Sequence, residues 1–241
     1  MGLQILRDVE SSVDIPEPIF KIYDVLEGDF QDRPNWRKMH EFSLWKHLCL
    51  CILSSNVTFE LAKSAALRLA EQGILHQRYL LENRKALKTI RQELSKSIYL
   101  PCKKDGTFRK YRFPTRRSKD IVHAAHIMYA NEYTIRKYLK EAPTETQARN
   151  HLSEIVPGLG LKESSHFLRN IRYSSSLAII DAHIMRFLQE LGLISCETHS
   201  VTPIEYMYLE KLMQYISKCN GLDLSILDNA IWHYMRHRTN L

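Results

Sequence analysis

The run V-P-G-L-G-L-K-E-S-S-H-F-L-R-N at residues 156–170, followed by A-I-I-D-A-H-I-M-R-F-L at 178–188, decides how this chain is read. Gly158 and Gly160 stand two apart, Lys162 lies two beyond the second glycine, and Asp181 follows nineteen residues after the lysine. The glycines predict a tight hairpin between helices. Lacking a Cβ, both can take positive φ and let backbone N–H groups approach an anion closely. The hairpin then opens a helix, whose first turn carries unpaired donors and partial positive charge, so a nucleic-acid phosphate is the ligand it suits.

Outward from the hairpin the apolar pattern is helical. Trp45, Leu48, Cys49, Ile52 and Leu53 recur at three- and four-residue spacing through residues 42–53, the mark of one buried stripe. Residues 59–71 and 118–130 read the same way. Pro143 ahead of T-E-T-Q offers Thr144 as an N-cap with Gln147 at N3, and Thr202, Pro203 and Glu205 repeat that signature, so both segments should start helices. A last helix is expected over 222–237, with Leu224, Leu227, Ile231 and Tyr234 on one face.

One stretch departs from this pattern: P-C-K-K-D-G-T-F-R-K-Y-R-F-P at 101–114 has a D-G turn between short segments, which predicts a small β-hairpin or ordered loop over 101–113. The expected fold is therefore all-α, two helical subdomains around a helix-hairpin-helix motif with one small β-hairpin insertion. The expected organisation is a single domain over 1–241, with an N-terminal helical part over about 1–140 and a hairpin and catalytic part over about 141–241. The glycine hairpin falls near their junction.

Composition sets the limits. The chain has 241 residues and 44% apolar content, enough for a sizeable core, and its 34 Lys and Arg against 27 Asp and Glu give +7, which favours a polyanionic partner. The excess is concentrated. Lys103, Lys104, Arg109, Lys110, Arg112, Arg116, Arg117 and Lys119 face only Asp105 within 103–119, a run that reads equally well as a solvated surface loop. Five cysteines (Cys49, Cys51, Cys102, Cys196, Cys219) with no C-x-x-C pair encode neither a disulfide framework nor a metal cluster and point to a reducing compartment. The histidines, His126, His166 and His183 among them, lack metal-ligand spacing, so no metal and no cofactor is expected. No signal peptide is apparent and the most apolar run, 42–53, is too short to cross a bilayer, so the expectation is a soluble cytoplasmic protein, nucleoid-associated if prokaryotic.

The chemistry rests on two residues. Lys162 by itself reads as one more phosphate contact, and Asp181 by itself is an ordinary N-cap. Together, an amine and a carboxylate in one cleft beside a phosphate-binding hairpin suit attack at the anomeric carbon of a nucleotide. A lysine at the first turn faces the positive end of the helix dipole, which favours the neutral amine that a nucleophile needs. The carboxylate would stabilise the positive charge on the sugar and help deprotonate the lysine, which would form a Schiff base with the opened sugar. The base must then leave the stack and find an aromatic surface. Trp232, in L-D-N-A-I-W-H-Y, is a candidate platform, with core packing as its other reading.

These residues resemble the helix-hairpin-helix DNA glycosylase superfamily, whose hairpin has the form P-G-h-G-x-K with a downstream h-h-D-x-H-h. Within it, G-L-K-E-S-S-H-F-L-R-N and A-I-I-D-A-H-I-M-R are similar to the archaeal-type 8-oxoguanine DNA glycosylase/AP lyase family. Y-R-F-P-T-R-R-S-K-D-I-V and L-D-N-A-I-W-H-Y extend the resemblance over roughly residues 40–241. It implies Lys162 as the Schiff-base nucleophile, which also contacts phosphate with Gly158 and Gly160, and Asp181 as the catalytic carboxylate. It also implies Trp232 stacked on the extruded base, Asp228 shaping the base pocket, and Asn56, in L-S-S-N-V-T-F, entering the duplex void opposite the orphaned base; Asn56 reads equally as a helix-ending residue.

Leu241 stands where the family usually ends in lysine, and the basic hairpin at 101–113 and the longer N-terminus look like additions, so the reaction class is firmer than the base. The leading expectation is a monomeric, bifunctional glycosylase/β-lyase acting on 8-oxoguanine in double-stranded DNA. Its alternatives are the same chemistry on another lesion or on a bulky modified base of foreign (phage) DNA, and a non-catalytic DNA-binding module.

Overall fold

The computed structural model describes residues 4–5, 13–31, 35–195 and 201–238. In chain order run β1 (Gln4–Ile5), α1 (Glu17–Gln31), α2 (Glu41–Ser54), α3 (Phe59–Glu71), α4 (Gln77–Glu82), α5 (Ala86–Leu94), β2 (Ser97–Tyr99), β3 (Arg109–Lys110) and α6 (Pro114–Tyr129). A 3-10 turn, Ala130–Glu132, leads to α7 (Ile135–Glu141), α8 (Glu145–Ile155), α9 (Leu161–Asn170), α10 (Ala182–Glu190), β4 (Ile194–Ser195), α11 (Pro203–Cys219) and α12 (Leu224–Arg238). The fold is all-α with a small antiparallel hairpin, as the periodicity requires.

Two compact units share these elements, one made of Met1–Pro34 with Ser174–Leu241 and the other of Asn35–Tyr173. In the continuous unit, α2 lies at the centre, packed on α3, α6, α7 and α9. Its stripe of Trp45, Leu48, Cys49, Ile52 and Leu53 is fully buried, and the indole N–H of Trp45 finds an acceptor in the Leu75 carbonyl at 2.8 Å. In the discontinuous unit, α12 packs on α1, α10 and α11. Its buried residues include Leu224, Leu227, Ile231 and Met235, while Tyr234 is only half-buried and lies under the Arg238 guanidinium at 5.2 Å. Met235 therefore takes the core position expected of Tyr234.

Local chemistry sets the helix boundaries. Helix α3 spans the expected 59–71, whereas α6 starts at Pro114, four residues ahead of the expectation, because proline at N1 loses no hydrogen bond there. The Thr144 hydroxyl accepts the Gln147 N–H at 3.1 Å. At α11 the capping box is reciprocal: the Thr202 hydroxyl accepts the Glu205 N–H at 3.3 Å, and the Glu205 carboxylate accepts the Thr202 N–H at 2.7 Å.

The hairpin pairs β2 with β3, so its first strand lies upstream of the stretch expected at 101–113. Pro101 cannot donate to a ladder, and the pairing passes instead through Ser97 and Tyr99. The D-G turn is in place, with Gly106 at φ +80° and the Lys103 N–H donating to the Thr107 carbonyl at 2.8 Å. A second two-stranded pair, β1 with β4, had no readable sequence signal. The cysteines within the described residues, Cys49, Cys51, Cys102 and Cys219, are free thiols, while Cys196 and Leu241 lie outside the described residues. Among the described residues no helix is long and apolar enough to cross a membrane.

The Thr202→Ala substitution removes one half of the α11 capping box and should cost about 1 kcal/mol of stability. Urea denaturation should show a lower midpoint at an unchanged m-value.

Candidate active site

The glycine hairpin of residues 156–160 joins α8 to α9 within the continuous unit. Gly158 has φ +85°, and a Cβ built on it would stand 2.9 Å from both Arg117 Nη1 and Asp120 Oδ2. Its glycine is thus demanded twice, by the backbone and by what packs on it. Gly160 differs from expectation: its φ is −98°, a conformation open to any residue, and a Cβ there would meet only the end of the Glu163 side chain at 3.4 Å. It serves as the N-cap of α9, with its N–H directed at Glu163 Oε2 at 3.4 Å. The hairpin needs one left-handed residue, and Gly158 supplies it.

Lys162 occupies the first turn of α9, where its side chain is 37% exposed and Nζ lies 3.5 Å from Glu163 Oε1. The amine is therefore reachable from outside while its helix is anchored. The face below it is buried through Ser164, Ser165, Phe167 and Leu168 and packs on α2. One turn further, His166 tilts against the Phe59 ring at 6.0 Å. Burial, then the neighbouring charges of Arg169, Lys162 and His47, push its imidazole down to about 3, so it is neutral beside the lysine. Burial also raises the Cys51 thiol of α2, with Glu163 raising it further and Lys162 opposing that rise.

Beneath the hairpin lies a cluster that sequence reading missed. The Arg117 side chain is 2% exposed, its Nη1 pairs with Asp120 Oδ2 at 2.8 Å, and its Nη2 donates to the Ser55 carbonyl at 3.1 Å. The Ser55 carbonyl immediately precedes Asn56, which is exposed at φ +58° in the loop between α2 and α3. Arg117 thus ties the Asn56 loop to the hairpin. The only sequence signal was an Arg and an Asp three apart in P-T-R-R-S-K-D, hidden inside a basic run that looked solvated.

The discontinuous unit carries Asp181, Asp228 and Trp232. Asp181 is half-buried at the N-cap of α10, where its Oδ1 accepts the His183 N–H at 2.8 Å and the Ile184 N–H at 3.0 Å. Among the described residues Oδ2 receives no hydrogen bond, so one oxygen fixes the carboxylate and the other is available for chemistry.

Among the described residues the segment before it has no strand partner, and side chains hold it. Asp228 Oδ2 accepts the Ile179 N–H at 2.6 Å, Glu210 Oε1 accepts the Ala178 N–H at 3.2 Å, and the Tyr206 hydroxyl donates to the Ala178 carbonyl at 2.8 Å. Asp228 is buried, and this contact makes it a support for the backbone that leads to Asp181. Trp232 is half-buried, with the Arg236 guanidinium 4.8 Å over its ring and the His183 ring at its edge, 5.9 Å away. Its ring is not sealed in the core. Among the described residues no cluster of His, Cys, Asp and Glu could hold a metal ion.

A family model, Ogg-HhH, 8-oxoguanine DNA glycosylase, matches residues 27–222. The chain is 30% identical over 213 residues to the 8-oxoguanine DNA glycosylase/AP lyase of Methanocaldococcus jannaschii, covering 88% of this chain and 90% of that protein. Similarity to the Aquifex aeolicus protein of the same name is 31% over 207 residues, covering 85% of this chain and 81% of that one. A crystal structure of the Methanocaldococcus jannaschii 8-oxoguanine glycosylase/lyase in complex with 15mer DNA containing 8-oxoguanine matches with a TM-score of 0.72 at 25% identity, covering 90% of this chain and 95% of that one.

Two outcomes test the geometry. Gly158→Ala should lose at least 1–2 kcal/mol, roughly, from strain and displacement of the Arg117–Asp120 pair, whereas Gly160→Ala should change stability by less than about 0.5 kcal/mol; thermal melts of the two variants check the asymmetry. His166 stays neutral in the folded chain down to about 3 while the unfolded imidazole takes a proton near 6.5. Its contribution is therefore complete above about pH 6.5 and lost as the pH falls toward 3, so denaturation midpoints should fall less steeply over that window in His166→Gln than in the parent.

Proposed function

The chain belongs to the 8-oxoguanine DNA glycosylase family, Ogg-HhH, and we propose that Lys162 is its nucleophile and Asp181 its catalytic carboxylate. It is a bifunctional 8-oxoguanine DNA glycosylase/AP lyase. The observation that carries the assignment is the position of Lys162: a part-exposed amine on the first turn of α9, immediately after the hairpin, with the Glu163 carboxyl as its neighbour at 3.5 Å.

The reaction follows from what these groups can do. A phosphate of double-stranded DNA is held by the hairpin backbone, whose first-turn N–H groups and helix dipole favour an anion. With the damaged base extruded, the bond between the sugar C1′ and the base nitrogen stretches, and positive charge builds on the sugar. The Asp181 carboxylate, whose Oδ1 is taken up by its bonds to α10, has Oδ2 left to stabilise such a charge. The base departs with the bonding electron pair and takes up a proton. Nζ of Lys162 forms the new bond to C1′ and gives up a proton, for which the Asp181 carboxylate is the acceptor in this reading. Ring opening then leaves an iminium between Nζ and C1′. Loss of a proton from C2′ expels the phosphate at C3′, which cuts the strand, and water releases Lys162 from the product.

Three further residues complete the reading. Trp232 stacks on the extruded base, and Arg236, now over its ring, moves aside or caps the base from the same face. Asp228 shapes the pocket through the backbone at Ile179. Asn56, exposed on a loop whose carbonyl Arg117 fixes, enters the gap left by the base. The whole chain acts as one glycosylase domain, as a monomer in the cytoplasm.

Borohydride reduction on an 8-oxoguanine:cytosine duplex, beside an abasic duplex, should give a covalent protein–DNA complex that Lys162→Gln abolishes on both. Asp181→Asn should keep DNA binding and lower base excision by about 10²-fold or more. Trapping that survives in Lys162→Gln would overturn the assignment.

A further inference from the structure

We propose that the basic arm formed by β2, β3 and their connection, residues 97–112, is a second contact for the DNA backbone. It lies in the unit that holds the glycine hairpin and extends the duplex footprint beyond the lesion. The inference rests on the DNA glycosylase reading above but on different residues.

The first observation is unneutralised charge. Lys103, Lys104, Arg109, Lys110 and Arg112 are all exposed, and none is ion-paired with a carboxylate among the described residues. Asp105, the acid of the arm, is occupied by its own turn: Oδ1 accepts the Thr107 hydroxyl at 2.6 Å and the Thr107 N–H at 2.9 Å. Five like charges on so short a segment repel one another, and a polyanion relieves that repulsion.

The second observation is order. A loop whose charges served only for solubility needs no fixed shape, yet this arm is anchored at both ends by fully buried tyrosines. The Tyr99 hydroxyl donates to the Glu93 carbonyl at 2.8 Å and the Tyr111 hydroxyl to the Leu53 carbonyl at 2.6 Å. The Leu100 N–H adds a bond to Ser64 Oγ at 3.0 Å, and Arg109 Nε one to the Pro101 carbonyl at 2.9 Å. The backbone that carries the cations is thus held in place, which lowers the entropy lost on binding. Phe108 sits among them, 50% exposed, an aromatic surface suited to a sugar or base face.

The third observation is continuity with the hairpin. The arm runs directly into α6, on which exposed Arg116 and Lys119 alternate with the Arg117–Asp120 pair that abuts Gly158. A backbone docked on the hairpin therefore lies beside the helix that the arm continues. Two phosphate-binding elements share one rigid support.

The test is the salt dependence of binding by the full-length triple variant Lys103→Gln/Lys104→Gln/Lys110→Gln, with the Lys→Arg triple as its charge-retaining control. Fluorescence anisotropy would use duplexes of about 15 and about 30 base pairs carrying a stable abasic analogue, between about 50 and 200 mM salt. On the longer duplex, the slope of log K against log salt should become shallower by about 2–3 for the Gln triple, near 0.9 for each phosphate no longer neutralised, and remain at the parent value for the Arg triple. A Gln-triple slope equal to the parent's would overturn the proposed role of the arm. Borohydride trapping by the parent separates the two readings. Trapping with an unchanged slope sinks the arm alone, whereas a shallower slope without trapping sinks the chemistry and leaves the arm standing.

Discussion

A guanidinium taken out of water has to be paired, and Arg117 meets that requirement by holding several parts of the chain at once. Its two terminal nitrogens reach Asp120 on its own helix and the Ser55 carbonyl at the end of α2. The remaining space over the pair is filled by the backbone of Gly158, with no room for a Cβ. Helix α6, the loop carrying Asn56 and the hairpin that precedes Lys162 therefore share one buried charge. Breaking such a pair from one side leaves an orphaned ion, at a cost of about 3–5 kcal/mol, which is why the three elements keep their mutual placement. Tyr111 adds to the same corner by bonding the Leu53 carbonyl, two residues from the one Arg117 holds.

The discontinuous unit solves a comparable problem by different means. The segment leading to Asp181 has no neighbouring strand among the described residues, so its N–H and C=O groups need other partners. Buried acids and a tyrosine from α11 and α12 supply them: Glu210, Asp228 and Tyr206 at Ala178 and Ile179. The chain then turns into α10 at Asp181, whose carboxylate completes the first turn through Oδ1. An N-cap is a rigid place to keep a carboxylate, because the helix itself fixes the rotamer. Structural duty and the proposed catalytic duty thus fall on different oxygens of one side chain.

Much of this was legible in the residues. The stripe in α2, the threonine caps of α8 and α11, the first-turn proline of α11 and the D-G turn of the arm each depend on neighbours within a few positions, and each formed where the pattern placed it. Gly158, Lys162 and Asp181 were legible for the same reason, since a left-handed turn, a first-turn amine and an N-cap are local facts. Where local reasoning was too even-handed, it failed. It treated Gly158 and Gly160 alike, although only the first is in the left-handed region, and it gave Tyr234 a core position that Met235 occupies.

The sequence by itself determined the helical class, the hairpin, the amine and carboxylate, and the family resemblance, because helix periods, caps and turns are set by short-range sterics and hydrogen bonding. Tertiary structure alone decided that Arg117, one cation in a basic run, is buried while Arg116 and Lys119 beside it face solvent. It also decided that β2 begins before Pro101, and that residues 1–34 group with 174–241. Those outcomes rest on contacts between residues far apart in the chain, such as Arg117 with Ser55 and Asn220 with Val13, and no local pattern encodes which distant partner will complete a buried polar group.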